Sequence, residues 1–203
     1  MLQTATVNKH TLELLKKVCC HQQFNNFFLV GETALSLQIG HRISIDLDFF
    51  TLTDFDENKL KDILIKEFDA QIFSIDNNAI TGLIDRVKFD FIAHQYPLLE
   101  PILEIEKTRL SSLEDIAAMK LNAVRNRGTK KDFVDIYFLL QKFNLEELLE
   151  MVNSKYPNHV DILTLKSLVY FDDAENQPDC EMLIDIDWKK VKQKIEKETI
   201  KFL

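Results

Sequence analysis

The stretch "RISIDLDFF", residues 42–50, limits the folds open to this chain more than any other. Its alternation predicts a strand, and strand side chains alternate between faces. Ile43, Ile45, Leu47 and Phe49 would then share one face, and Ser44, Asp46, Asp48 and Phe50 the other. Two carboxylates about 7 Å apart along a strand repel each other unless water or a cation stands between them. Just ahead lies "FFLVG", a short buried strand ending at Gly31, followed by "ETALSLQI", a short helix closed by Gly40 in the position that helix ends prefer. Strand, glycine turn, helix and carboxylate strand therefore follow one another with no room for a linker, and the turn is set beside the carboxylates.

The rest of the first half alternates. Leu12, Leu15, Val18 and Cys19 predict an amphipathic helix over 8–22, and Leu60, Ile63, Leu64 and Phe68 another over 56–68. "AQIFSI", "AITGLI" and "VKFDFIA", divided by turns at Asn77–Asn78 and Asp85–Arg86, read as a strand meander. In its last strand Val87, Phe89 and Phe91 face one way and Lys88, Asp90 and Ile92 the other, which makes Asp90 a third strand carboxylate. From Ser111 the pattern turns helical. "SSLEDIAAMKLNAVRNR" has Ser111 and Glu114 at capping-box spacing, with Ile116, Met119, Ala123 and Val124 as its apolar stripe. Helices are expected over 130–143, over 144–156 with Asn144 as cap, and over the lysine-rich 187–203. The chain thus divides into an α/β (α+β) portion over 1–108, a small mixed sheet with flanking helices, and a helical C-terminal half over 109–203.

No stretch approaches the roughly 20 apolar residues of a membrane span, and the first residues lack a signal-peptide layout, so the expected location is cytoplasmic. Cys19, Cys20 and Cys180 form no zinc-ligand spacing. A net charge of −8 opposes indiscriminate binding to nucleic acid, although residues 120–131 carry five basic groups and no acid.

Three strand aspartates suit a two-metal phosphoryl-transfer site, with magnesium as the hard cation that carboxylate oxygens favour. The exposed face of a half-buried sheet would also hold carboxylates; Gly31 ahead and Asp90 behind favour the metal site. An EF-hand loop fails at Thr51, where a glycine is needed. An aspartyl phosphatase would need a threonine or valine at Phe50 and a later glycine-aspartate motif. No GxxxxGK[ST] or GxSxG occurs. The DxD alone leaves a metal-dependent phosphatase open.

"LVGETALSLQIGHRISIDLDFF" resembles the first motif of the nucleotidyltransferase superfamily that includes DNA polymerase beta. Together with "VKFDFI" and "AAMKLNAVRNRGTKKDFVDIYFLL", it is similar to the AbiEii/AbiGii nucleotidyltransferases, toxins of toxin–antitoxin and abortive-infection systems. The resemblance covers residues 25–140. It implies a nucleotidyltransferase core whose helical half closes the nucleotide cleft. It also implies Mg2+ or Mn2+ held by Asp46, Asp48 and Asp90, an NTP substrate, an RNA acceptor of the tRNA class and a cognate antitoxin. Asp90 would also help deprotonate the acceptor. Gly31 would bring backbone N–H groups to the phosphates, with Thr33, Arg42 and Ser44 on the nucleotide. Lys120 would reach the triphosphate, with Arg127 on the same face, and Lys131 and Asp132 match the family's KD pair, where Asp132 is either a helix cap or part of the site. One departure stands out: Glu32 occupies the position where the family usually has a second glycine or a serine. A binding-only relative is therefore the alternative to an active enzyme.

Overall fold

The computed structural model describes residues 1–203, which form two compact units. The first comprises Met1–Gly40, Ser44–Pro97 and Pro101–Ser111; the second comprises His41–Ile43, Leu98–Glu100 and Ser112–Leu203.

In the first unit α1 (Lys9–Cys20) starts on Asn8, whose side chain accepts from Thr11 N–H, and buries Leu14, Leu15, Val18 and Cys19. Next come β1 (Phe28–Leu29), α2 (Gly31–Ile39), β2 (Leu47–Thr51) and α3 (Glu57–Phe68). The meander of β3 (Gln71–Asp76), β4 (Ala79–Ile84) and β5 (Val87–Ala93) is followed by the β6–β7 hairpin (Leu103–Ile105 and Thr108–Leu110). The seven strands form one mixed sheet in the order β3-β4-β5-β2-β1-β7-β6. β2 lies parallel to β5, with Asp48 opposite Asp90, and antiparallel to β1. Phe49, Phe89 and Phe91 all point to the buried side, where Phe24 and Phe27 pack on Phe91. That aromatic core fixes the register and so sends Asp48 and Asp90 to the opposite face.

Three expectations need correction. The strand expected over 42–50 is regular only over Leu47–Thr51: Arg42 makes an isolated bridge to Met182, and Ile45 is 60% exposed instead of sharing a buried face with Leu47. The capping residue of the first helix after the sheet is Ser112, which accepts from Asp115 N–H, one residue later than the expected Ser111–Glu114 pair. Met119 and Ala123 are only half-buried, while Ala117, Ala118 and Leu121 are buried. The β6–β7 hairpin went unexpected because its turn, Glu106–Lys107, adopts positive φ without glycine or asparagine.

The second unit is helical: α4 (Leu113–Asn126), α5 (Lys130–Leu139), α6 (Leu145–Lys155), α7 (Asp161–Leu168), the short α8 (Asp172–Glu175) and α9 (Trp188–Thr199). α4 packs against α5, α6 and α7, and α9 against α5 and α7. Buried Lys155 closes the packing of α6 on α4 through a 2.6 Å ion pair with Asp115. The same carboxylate accepts from Leu99 N–H, Glu100 N–H and Ser112 Oγ, so its charge is well satisfied. No helix is long and apolar enough to cross a membrane.

Candidate active site

In the first unit the site is built on the start of α2 and the middle of the sheet. Gly31 has φ +66°, and a Cβ built there would lie 2.7 Å from Asp48 Oδ2. Only glycine permits both the backbone angle and so close an approach to the carboxylate. Thr33, in the first turn of α2, shares a 2.8 Å hydrogen bond with Ser44 Oγ and donates to the Asp46 carbonyl. Both hydroxyls are buried, so they shape the loop that carries Asp46. Val30 N–H donates to the Asp48 carbonyl at 2.8 Å, which ties the glycine turn to β2.

Asp46 and Asp48 are half-buried, and Asp48 lies level with Asp90 on the neighbouring parallel strand. Burial, followed by the negative charges of Asp90, Glu32 and Asp46, pushes the Asp48 carboxyl up to about 7. Lys88, on the same face of β5, opposes this with its positive charge and donates to Asp90 Oδ2 at 3.0 Å. Asp90 Oδ1 is buried and has no hydrogen-bond partner. As placed, no three acidic, histidine or cysteine side chains converge closely enough to enclose an ion. The donor set nonetheless suits magnesium or manganese in kind: carboxylate oxygens, one of them orphaned, with a like-charge repulsion that a cation would relieve.

The second unit gathers a different set. Asp135, fully buried on α5, accepts from His41 Nε2, Arg42 Nε and Arg42 Nη2, each at 2.8 Å, and pairs with Lys120 Nζ at 2.6 Å. Burial would raise this carboxyl, but the charges of Lys120 and Arg42 and the bonds from His41 and Arg42 hold it well below the usual range. Asp132 accepts from Lys120 at 3.1 Å and from both Nε and Nη2 of Arg127 at 2.9 Å. It also caps its own helix reciprocally with Thr129. Burial opposes its ionisation, and Arg127, Lys120 and Thr129 together overcome that cost. Burial lowers the His41 pKa against the pull of Asp135, which its Nε2 meets at 2.8 Å. Lys131 is half-buried near the start of α5.

Of the residues singled out in the sequence, Gly31, Thr33, Ser44, Asp46, Asp48 and Asp90 belong to the first unit. Arg42, Lys120, Arg127, Lys131 and Asp132 belong to the second. Lys88, His41 and Asp135 were not singled out. Lys88 was legible as the i−2 neighbour of Asp90 on one strand face. Asp135 could be suspected as an acid inside the apolar run "FVDIYFLL".

Two carboxylate strands lying parallel beside a glycine turn, in a small mixed sheet followed by helices, make a nucleotidyltransferase fold. MenT4, a nucleotidyltransferase toxin of Mycobacterium tuberculosis H37Rv, shares it with a TM-score of 0.61 at 15% identity, over 92% of this chain and 79% of its own. JHP933 of Helicobacter pylori shares it with a TM-score of 0.54 at 19% identity, over 96% and 92%. Residues 13–78 and 81–202 match the family described as nucleotidyl transferase AbiEii toxin, type IV toxin–antitoxin system, and the chain belongs to that family. An uncharacterised protein of Aquifex aeolicus (strain VF5) is 35% identical over 208 residues, covering 97% of this chain and 98% of its own.

Proposed function

We propose that this chain transfers a nucleotide from an NTP to a hydroxyl of an RNA acceptor, with tRNA ends as the acceptor class, as the toxin of a toxin–antitoxin pair. The observation that carries the reading is Asp48 set level with Asp90 on adjacent parallel strands, with Gly31 backbone against the Asp48 carboxylate. Asp46, Asp48 and Asp90 are the residues that would hold Mg2+ or Mn2+, which when bound neutralises charge developing on the phosphates. Gly31 and the first backbone N–H groups of α2, which lack helical partners, face the negative charge of the nucleotide. Thr33 and Ser44 act on the nucleotide through the shape of the Asp46 loop.

The acceptor oxygen attacks the α-phosphorus, the bond from that phosphorus to its bridging oxygen breaks, and pyrophosphate leaves. Asp90 would receive the acceptor's proton, and its Oδ1, buried without an internal hydrogen-bond partner, supports that role. In the second unit the family resemblance assigns phosphate contact to Lys120 and nucleotide roles to Arg42, Arg127, Lys131 and Asp132. The geometry there supports a rigid cluster in which Lys120, Arg42 and Arg127 share two buried carboxylates. An antitoxin protein is the partner that a toxin of this family implies.

The test is incubation of the chain with magnesium, total tRNA and each labelled NTP in turn. Label on RNA is expected with the wild type, and a loss of at least about a thousandfold with Asp46→Ala or Asp48→Ala, whose far-UV spectra stay unchanged. Label that persists in both variants rejects the carboxylate assignment.

A further inference from the structure

The face that carries Asp48 and Asp90 continues along both strands into a group of stacked aromatic rings. Phe50 follows Asp48 by two residues on β2 and lies opposite Ile92, which follows Asp90 by two on β5. Past the end of β5 the pairing is extended by His94 N–H donating to the Thr51 carbonyl at 2.8 Å. The His94 ring stacks on Phe50, centroids 4.5 Å apart and planes 22° from parallel. Tyr96 then leans on His94 at 4.8 Å and is 42% exposed. Phe50 and His94 are half-buried. Phe24, Phe27, Phe49, Phe89 and Phe91 pack together on the other side of the sheet, whereas buried Phe28 lies across the ladder from Phe50. The Phe50–His94–Tyr96 series stands on the opposite face from that cluster, beginning about 7 Å along the strand from Asp48, and Tyr96 is its exposed end.

Electrostatics narrows what could lie there. The chain carries a net charge of −8, and the face beside the shelf bears three carboxylates and Glu32. A phosphate backbone gains little on such a surface, so RNA held on this face would be held by its bases. Stacking on aromatic rings supplies that and tolerates any sequence, because every base has a π-face. We propose that Phe50, His94 and Tyr96 form a stacking shelf for a base at the acceptor end of single-stranded RNA, one step along the sheet from the carboxylates. This rests on the nucleotidyltransfer reading for its choice of RNA as occupant.

The experiment uses the full chain and a short fluorescein-labelled single-stranded RNA of mixed sequence, read by anisotropy without NTP, with binding of ATP and magnesium measured in parallel. Tyr96→Ala and His94→Ala should each weaken RNA binding about tenfold, Tyr96→Phe should retain it, and all three should bind ATP as the wild type does. The affinity should also fall less steeply with added salt than phosphate-driven binding would. RNA affinity that is unchanged in both alanine variants overturns the shelf. So does a loss that falls on ATP instead, which would give the rings to the base of the incoming nucleotide. A wild type that binds no RNA overturns it as well. RNA binding that depends on Tyr96 and His94, in a protein that adds no nucleotide to RNA, upholds the shelf while removing the transfer reading.

Discussion

Asp48 concentrates the chemistry of the first unit in one carboxyl group. Its pKa of about 7 in the folded chain, against an ordinary 3.8, is set first by burial and then by Asp90, Glu32 and Asp46. Between those two values the folded chain holds a proton that the unfolded chain has released. Stability therefore falls as pH rises from about 4 to about 7, by an amount on the order of 2–4 kcal/mol in the absence of metal. Asp48→Asn removes the titration. Its metal-free melting temperature should exceed that of the wild type by several degrees at pH 8 and match it near pH 4. Equal pH dependence in the two proteins would contradict the burial of this charge. The same sign governs the metal: binding should strengthen as pH rises toward 7 and level off above it, because the ligand is the carboxylate. Glu32 adds a like charge to this group. Glu32→Gln should accordingly move the metal-binding midpoint to lower pH, as read by manganese titration.

At the scale of elements, the start of α2 and the buried face of α5 each depend on one residue. Gly31→Ala must adopt a positive φ that costs about 1–2 kcal/mol, and its methyl group would displace the Asp48 carboxylate. Metal affinity and transfer should both fall at least about tenfold while the helix content stays constant; full activity would show that the turn is not held as described. Asp135→Ala would leave Lys120 and Arg42 without their shared buried carboxylate, at a cost of about 3–5 kcal/mol, read as a melting temperature lower by roughly 10 °C. An unchanged melting temperature would contradict the network. Much of this level was legible in the sequence. β4 and β5 have the residues that alternation gave them, Gly40 closes α2 with φ +75°, and Asn144 caps α6. What was not legible depended on partners distant in the chain. Arg42 leaves the strand pattern because Asp135 fixes its guanidinium, and no local spacing announces that pair. Likewise β7 pairs with β1 through Leu29 and Leu110, and Arg109 donates to the carbonyls of Cys19, Phe24 and Phe27, contacts spanning more than 80 residues.

For the whole molecule, family membership rests on matches over residues 13–78 and 81–202, so both units are typical of it. The quoted motifs were enough to reach that family because they join a glycine turn, three strand acids and a Lys-Asp pair at set spacings. The sequence did not disclose that the acids fall into two separate settings. Asp48 is forced toward neutrality among like charges, whereas Asp132 and Asp135 are kept ionised by Lys120, Arg42 and Arg127. The first setting suits a cation that arrives with substrate, and the second suits a permanent structural charge cluster. The most direct test of nucleotidyltransfer is the stoichiometry of products from labelled NTP, magnesium and tRNA. The account predicts one pyrophosphate released for each nucleotide joined to RNA, with both absent in Asp48→Ala; inorganic phosphate released without label on RNA would contradict it and reveal a phosphatase.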